Sequence, residues 1–495
     1  MPGSALSLLG GAQPLLAVLV MGASALVVLA LGALAPSLPR SLTSLAAFGA
    51  ALAAAVSWPA SPEVGPTLLM QGTLVVDIPA RLASVACALF TAAALLVSAC
   101  RSGFPDAAAR EAPGLVLLTA TAALVAVHAH HLGVLYLAVE ATALGAHLLV
   151  GLHTQVGRAA EAAAKAFVTG AVAVGVFGLG LALLYAGSRG ALGYEALALR
   201  YAASGPDPLG TLGLLLVFGA LAFRVGVVPF HMSVPDLLEG GSLVAALLNV
   251  SVVRLALLLA FVRLLSVGFL HPALSPDGSG LAAAFGVLGL ASVWGGALGS
   301  LRHDKTRRWL AHAAALQVGG VLVALCALTQ QVKEARQALG ASLVSQVMAL
   351  CLALSVSSLA PRAAEGQDVL DDWAGLGRAR PLLAFAMSVA LMSLTGLPVS
   401  VGFVAQLSLL QAATASPWLG ALVAAVLGGM ILFAYASWRF VAVMYFQPAS
   451  RAWSEPTPAA LALFIGGLTT FVLGFGLLPS AWLAWCVQLV SAVGP

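Results

Sequence analysis

The sequence predicts an all-α membrane protein of about 14 transmembrane helices, and three observations carry that prediction. Of its 495 residues, 61% are hydrophobic and 8% charged. Soluble domains carry about 25% charged residues. A soluble fold of this length could not hide so much apolar surface, whereas lipid replaces the core as the apolar phase of a membrane protein. Second, apolar runs near the ~20 residues that a span requires recur along the whole chain. Third, the linkers between them are short and polar, as at Ser204 to Pro208, Pro272 to Gly280 and Pro361 to Arg380. No loop is long enough for a soluble domain.

In order, the predicted spans lie near 14–35, 42–58, 78–99, 113–130, 132–151, 162–187, 209–230, 242–269, 280–300, 309–329, 337–360, 382–412, 418–446 and 459–479. The second is short. Residues 480–494 read as a surface tail helix. The first charge is Arg40, so no basic leader region precedes the first apolar run, which reads as a transmembrane helix.

Lysine and arginine set the expected orientation. Loops after odd-numbered spans carry 13 of them: Arg40, Arg101, Arg110, Arg158, Lys165, Arg302, Lys305, Arg307, Arg308, Arg362, Arg378, Arg380 and Arg451. Loops after even-numbered spans carry 4, at Arg189, Arg200, Lys333 and Arg336. Both termini are therefore expected on the non-cytoplasmic side. The net charge of +4 is spread over loops and forms no surface for nucleic acid. The five cysteines are scattered in apolar runs without a CxxC or Cys/His cluster, so no metal or iron–sulfur site is expected. No P-loop, dinucleotide fingerprint, nucleophile motif or haem-ligating pair appears, and no cofactor is expected.

Two spans look interrupted. One contains Arg224-Val-Gly-Val-Val-Pro-Phe-His231, the other Thr395-Gly-Leu-Pro-Val-Ser-Val-Gly402. Proline and glycine in mid-span free backbone groups that lipid cannot satisfy. Paired breaks in two halves of a transporter point to an ion path, while a single break reads equally as a proline kink.

The ionisable residues inside the spans are the candidate machinery. Glu140 lies about 12 Å into the fifth span at 1.5 Å per residue. It reads as a proton-relay carboxylate or as half of a structural ion pair. Arg224 and Arg254 each cost several kcal/mol at mid-bilayer unless paired or hydrated. Both are expected to face Glu140 or a water file. Arginine does not lose its proton in proteins, so these residues set a field rather than carry protons. Lys165 sits four residues after Glu161, as a surface pair or at the mouth of a proton route. His231 follows the first break, as a proton shuttle or a cap for freed carbonyls. His128, His130 and His131 read as a hydrated interfacial cluster. His147 extends the Glu140 face or sits at the interface. Asp77 with Arg81 reads as a cap or local pair, and Asp371 with Asp372 as a solvated turn.

Six stretches together resemble the antiporter-like membrane subunits of bacterial NADH-quinone oxidoreductase (respiratory complex I), of the subunit N type. They are Leu132 to Ala186, which includes Glu140, Glu161 and Lys165; Phe223 to His231 followed by Val234-Pro-Asp236; Ser251-Val-Val-Arg254 with Arg263; Lys305-Thr-Arg-Arg-Trp-Leu-Ala-His312; Leu394 to Phe403; and Trp438 to Tyr445. They cover most of residues 75–450. The resemblance implies N-terminal helices over 1–110, two inverted five-helix repeats over 111–270 and 271–447, and a C-terminal helix and tail over 448–495. Helices seven and twelve would be the interrupted ones. Offsets of 177 residues from Glu140 to Gln317 and 182 from Arg224 to Gln406 fit such a repeat.

By resemblance, Glu140 is the fifth-helix glutamate of a proton-translocation axis. Arg224 and Arg254 stand at the usual lysines of helices seven and eight. Gln317 stands at a common histidine of helix ten, and Gln406 at the helix-twelve lysine. The resemblance thus implies a non-redox subunit of a proton-translocating complex, working with other membrane-arm subunits in a bilayer. Two other readings stay open: a subunit of a cation/proton antiporter or membrane-bound hydrogenase assembly, and a non-conducting structural subunit.

Overall fold

The computed structural model describes residues 15–34, 39–59, 65–100, 106–152, 157–204, 207–268, 279–360, 369–449, 453 and 456–491. Arg101, Arg362 and Arg451 of the orientation argument, the side chains of Arg40 and Arg158, and most of the 272–280 linker lie outside the described residues.

Besides shorter helices at Tyr194–Ser204 and Leu376–Ala379 and the tail helix, fourteen helical segments follow one another among the described residues. They are α1 (Leu16–Leu34), α2 (Pro39–Ser57), α3 (Ile78–Cys100), α4 (Asp106–His128), α5 (Leu132–Gly151), α6 (Gly157–Gly187), the broken α7 (Pro208–Val225, then Ser233–Gly240), and α8 (Leu243–Gly268). Then come α9 (Ser279–Arg302), α10 (Thr306–Thr329), α11 (Ala335–Ser357), the broken α12 (Pro381–Thr395, then Val401–Ala413), α13 (Pro417–Phe446) and α14 (Ala459–Leu477). Among the described residues, 12 helices are long and apolar enough to cross a bilayer. The exceptions are α2 and α12, whose apolar pieces are each 17 residues or fewer. Among the described residues the strands are a short antiparallel ribbon, β1 (Thr67–Leu69) with β2 (Leu74–Val76), beside isolated bridges at Leu74–Ala129, His131–Gly193 and Lys305–Val369.

Burial separates the helices into a centre and a rim. In their most apolar windows α8 and α10 are each 89% buried and α11 is 83% buried. The values for α1, α6 and α14 are 28%, 28% and 22%. Helices polar enough to carry Arg254 and Gln317 therefore sit where protein, not lipid, surrounds them.

Side-chain oxygens supply the first free N–H groups of several helices. Asp77 Oδ1 accepts from Ala80 N at 2.9 Å, Ser242 Oγ from Ala245 N at 3.3 Å and Ser400 Oγ from Phe403 N at 3.3 Å. Both breaks use one device. Gly226 and Gly396 end their half-helices in the left-handed region, at φ 85° and 73°. Glycine reaches that region without a Cβ penalty. The Gly226 N–H is donated back to Ala222 O, and that of Gly396 to Ser393 O.

The structure changes two of the predicted elements, the seventh span and the tail helix. The seventh span does not stop at 230, because after the break a 3-10 turn (Phe230–Met232) leads into a second half-helix to Gly240. The twelfth is interrupted where the sequence places the break, as two helices separated by a turn. The tail helix (Pro479–Val490) is not simply a surface element: it packs on α11 and α3, with Trp482 and Cys486 buried.

Candidate functional site

The first break carries an ion pair. Arg224, in the last turn of the first α7 half-helix, donates from Nη2 to both carboxylate oxygens of Glu140 on α5, at 2.8 and 2.6 Å. The two side chains are 6% and 14% exposed. The same nitrogen reaches Gly170 O on α6 at 3.4 Å. A Cβ at Gly170 would lie 3.1 Å from Arg224 Nη1 and 3.0 Å from His147 Cε1, so bare backbone here lets the three helices converge. His147 therefore does extend the polar track beyond Glu140, and its Nδ1 and Arg224 Nε are buried without partners. An arginine–carboxylate bond of this length is charge-assisted and roughly twice as strong as a neutral one.

Of the two arginines expected to face Glu140 or a water file, Arg224 meets Glu140 and Arg254 does not. Arg254 is 3% exposed and donates from Nη1 to Ala314 O of α10 at 2.9 Å. Among the described residues it has no carboxylate partner. It follows a π-helical turn (Asn249–Val253) in α8, a local widening common at functional sites. It points towards the first break, where a Cβ on Gly226 would stand 3.7 Å from its Nη2.

From there the row continues through neutral groups. One turn beyond Ala314, Gln317 donates from Nε2 to Leu394 O at 2.6 Å. Leu394 lies in the last turn of the first α12 half-helix, so Gln317 satisfies a carbonyl beside the second break. Gln406 on the second half packs against that break, where a Cβ on Gly396 would come 2.6 Å from Gln406 Cγ. Its Oε1 is buried without a partner. Glu140, Arg224, Arg254, Gln317 and Gln406 thus form one row from α5 to α12.

Lys165 and His231 lie off this row, towards one end of the bundle. Lys165 pairs with Glu161 at 2.5 Å, with side chains 57% and 61% exposed. It borders a polar cavity of ≈ 240 Å³ that is also lined by Asp236, Glu239, Lys305 and Arg308. There Lys305 Nζ and Arg308 Nε both donate to the buried carboxylate of Glu239, and Arg308 Nη2 reaches Asp236 Oδ1 at 3.4 Å. Sequence reasoning missed Glu239 because it treated 231–241 as a linker. The spacing of Asp236 and Glu239, on one face of a short helix, is the signal that marks the pair. A larger cleft of ≈ 710 Å³ between α3, α11, α14 and the tail helix is lined by apolar groups such as Phe90, Phe464 and Trp485 and lies apart from this chemistry.

Several other charged groups are structural. Asp77 caps α3 as expected, but its ion partner is Arg263 of α8, not Arg81, with two bonds of 2.7 Å. Burial raises the Asp77 carboxyl, yet the adjacent guanidinium and the Ala80 N–H outweigh it and hold the group below its usual range. Asp372 is no solvated residue: it is 5% exposed and accepts from Val369 N at 3.1 Å. The hydrated histidine cluster is also absent. His128 and His130 are buried, His128 Nδ1 lies 2.8 Å from Leu124 O, His130 Nε2 lies 3.4 Å from Glu195, and His131 Nδ1 caps α5 by accepting from Gly133 N. Among the described residues no group of three histidine, cysteine or acidic side chains is placed to hold a metal.

Comparison with known proteins fits this geometry. Residues 129–432 match the family described as NADH:quinone oxidoreductase/Mrp antiporter, TM. NADH-quinone oxidoreductase subunit N of Thiobacillus denitrificans is 34% identical over 381 residues, covering 76% of each chain. A chain of respiratory complex I from Thermus thermophilus superposes with a TM-score of 0.78 at 27% identity, covering 94% of this chain and 98% of that one. A chain of the Mrp complex from Dietzia has a TM-score of 0.80 at 20% identity over 98% and 97%, a likeness of fold. The row of polar residues across two broken helices, with the family match over the region that contains it, places the chain: it belongs to the NADH:quinone oxidoreductase/Mrp antiporter transmembrane family.

Proposed function

We propose that this chain is a membrane-arm subunit of an NADH-quinone oxidoreductase in a bacterial inner membrane, where it takes part in proton translocation driven by electron transfer in other subunits. The observation that carries this reading is Glu140, a buried carboxylate held by Arg224 at a helix break, at the head of a polar row. Glu140 is the residue of that row that can take up and release a proton. Arg224 and Arg254 are permanent cations that set its field, and Gln317 and Gln406 orient dipoles without titrating. A proton arriving on Glu140 weakens its hold on Arg224, and the freed guanidinium then repels positive charge further along the row. Two fixed arginines in place of adjustable bases make Glu140 the single switch in this scheme.

Residues 111–270 and 271–447 are read as two inverted repeats, each with one broken helix, after N-terminal helices over 1–110 and before the segment 448–495. Lys165, Lys305 and Arg308 gather at one end of the bundle. With the excess of basic loops on that side, this end is read as cytoplasmic and both termini as non-cytoplasmic.

The test is Glu140→Gln in the assembled complex, reconstituted in vesicles. Electron transfer should continue while proton translocation falls sharply. Unchanged pumping would remove the assignment. A second reading, a non-conducting structural subunit, draws on the neutral Gln317 and Gln406 in the second half; it expects pumping to survive Glu140→Gln. A cation/proton antiporter assembly draws on the Mrp-like fold and expects sodium- or potassium-dependent proton flux without an electron donor.

A further inference from the structure

We propose that His303, His312 and His231 form a proton relay from the polar end of the bundle to the break in α7; this rests on the proton-translocation reading above. A buried switch such as Glu140 needs a supply of protons, and the arginines and glutamines of the row cannot hand one on. The three rings supply titratable groups that run inward from the turn between α9 and α10.

His303, half-buried in that turn, stacks on His312 with ring centroids 4.8 Å apart and planes 5° apart. His312 is 8% exposed. It meets His231 with centroids 5.7 Å apart, at 62°. His231 sits in the 3-10 turn directly after the α7 break. The Nδ1 atoms of both His312 and His231 are buried without hydrogen-bond partners. The relay therefore steps from a half-exposed ring, through a buried one, to the break whose other side carries Arg224.

The surroundings leave ring nitrogens of His312 and His231 open. On α9 the facing residue is Gly299, where a Cβ would lie 2.2 Å from His312 Nδ1, so bare backbone gives the ring its space. The charged groups nearby are committed to one another: Lys305 and Arg308 to Glu239, Arg308 also to Asp236, and Asp304 to Arg439 at 2.9 Å. The charged or titratable groups that act on His312 are His303, His231 and, on its own helix, Arg308. Among the described residues no carboxylate is ion-paired with any of the three rings. A histidine locked to a carboxylate would be a static pair, whereas an imidazole with an open nitrogen can accept a proton there and pass one on from the other.

Parallel rings do not aim an N–H at a neighbouring lone pair. Each transfer therefore uses a bridging water or a ring rotation. Each ring accepts a proton on one nitrogen and releases one from the other, so one positive charge moves and none is created. The stacked faces also do not converge nitrogens on a point, so the cluster is a relay rather than a metal site.

The experiment compares His303→Gln, His312→Gln, His312→Phe and Glu140→Gln in the assembled complex in vesicles, measuring proton translocation against pH at matched electron-transfer rates. The relay predicts that His303→Gln and His312→Gln lower translocation several-fold. His312→Phe, which keeps an aromatic ring in the stack, should be as slow as His312→Gln. Free imidazole should restore a His303→Ala variant. Parent-like pumping in both glutamine variants, beside a loss in Glu140→Gln, overturns the relay and leaves the Glu140 reading standing. A His303→Ala loss that imidazole does not restore marks a packing role and also overturns it. Parent-like pumping in Glu140→Gln removes the underlying reading, and the relay with it. If the buried His312 variants do not assemble, the half-exposed His303 variants decide alone.

Discussion

The two broken helices share a backbone device and differ in what they hold. At the first, Gly226 ends the half-helix and Arg224 meets a carboxylate at 2.6 Å. At the second, Gly396 does the same, and the polar contacts are the amide of Gln317 on a carbonyl and the unpartnered oxygen of Gln406. One break is built around a charge, the other around neutral dipoles. A buried ion pair adds little net stability, because desolvation offsets the attraction, but losing one partner is costly. The charged break therefore depends on both partners being kept, and the neutral one does not. On the proposed function, a proton cycle would have its switch in the first half and a fixed, passive path in the second.

Glu140→Gln tests that difference with the largest effect. It should abolish most proton translocation. It should also cost about 3–5 kcal/mol in thermal stability, the usual result of leaving one partner of a buried pair uncompensated. Adding Arg224→Gln turns the first break into a neutral one like the second. The double variant should recover most of the lost stability but none of the pumping, which separates switch from scaffold.

Asp77→Asn is the matched control, a buried pair of similar geometry away from the row. It should destabilise by about 3–5 kcal/mol as well, while pumping per folded complex stays near the parent value. Its pH dependence has a definite sign. The Asp77 carboxyl is held below its usual range in the folded protein. Its contribution is then complete above the unfolded pKa of about 4 and is lost as pH falls through the folded value. Unfolding followed against pH should show the parent and Asp77→Asn converging in acid.

Gln406→Lys places a cation in the neutral break. Insertion scales put a lysine in mid-membrane at about 2.5–3.5 kcal/mol, readable as reduced assembly or a lower melting temperature. A variant as stable as the parent would mean that the second break already tolerates charge. Gly226→Ala and Gly396→Ala come next, at about 1–3 kcal/mol each for a non-glycine residue held in the left-handed region. The first should be the worse, since its Cβ would stand 2.7 Å from Val234 Cγ2, whereas at Gly396 the obstacle is the flexible Gln406 side chain. Glu161→Ala should be smallest. The Glu161–Lys165 pair is exposed, and exposed pairs contribute little; melting should be unchanged, and any slowing of proton uptake would assign Lys165 to the mouth of the route.

Much of the site was legible residue by residue. Glu140 and Arg224 stand alone in apolar runs, where an ionised side chain is expensive and so marks a function or a pair. Gly226, Pro229, Gly396 and Pro398 announce the breaks, because their backbone preferences are local. Partner identity was less legible. The sequence left Arg254 facing either Glu140 or a water file, and read Asp77 as a cap or as a local pair with Arg81. The structure gives Arg254 to Ala314 and Asp77 to Arg263, 186 residues away. Glu239 was overlooked because the chain after Pro229 reads as a loop until the second half-helix is seen.

The sequence by itself determined that the chain is helical and membrane-embedded, where two helices break, and which side chains bring charge into the bilayer. Each follows from run length, proline and glycine geometry, or the cost of a lone ion in lipid. Only the tertiary structure decided which charges meet, and that the rings of His231, His303 and His312 lie against one another. The reason is physical. Helices that are apolar almost all round carry little information about their own rotation and depth, and those two quantities decide which side chains meet.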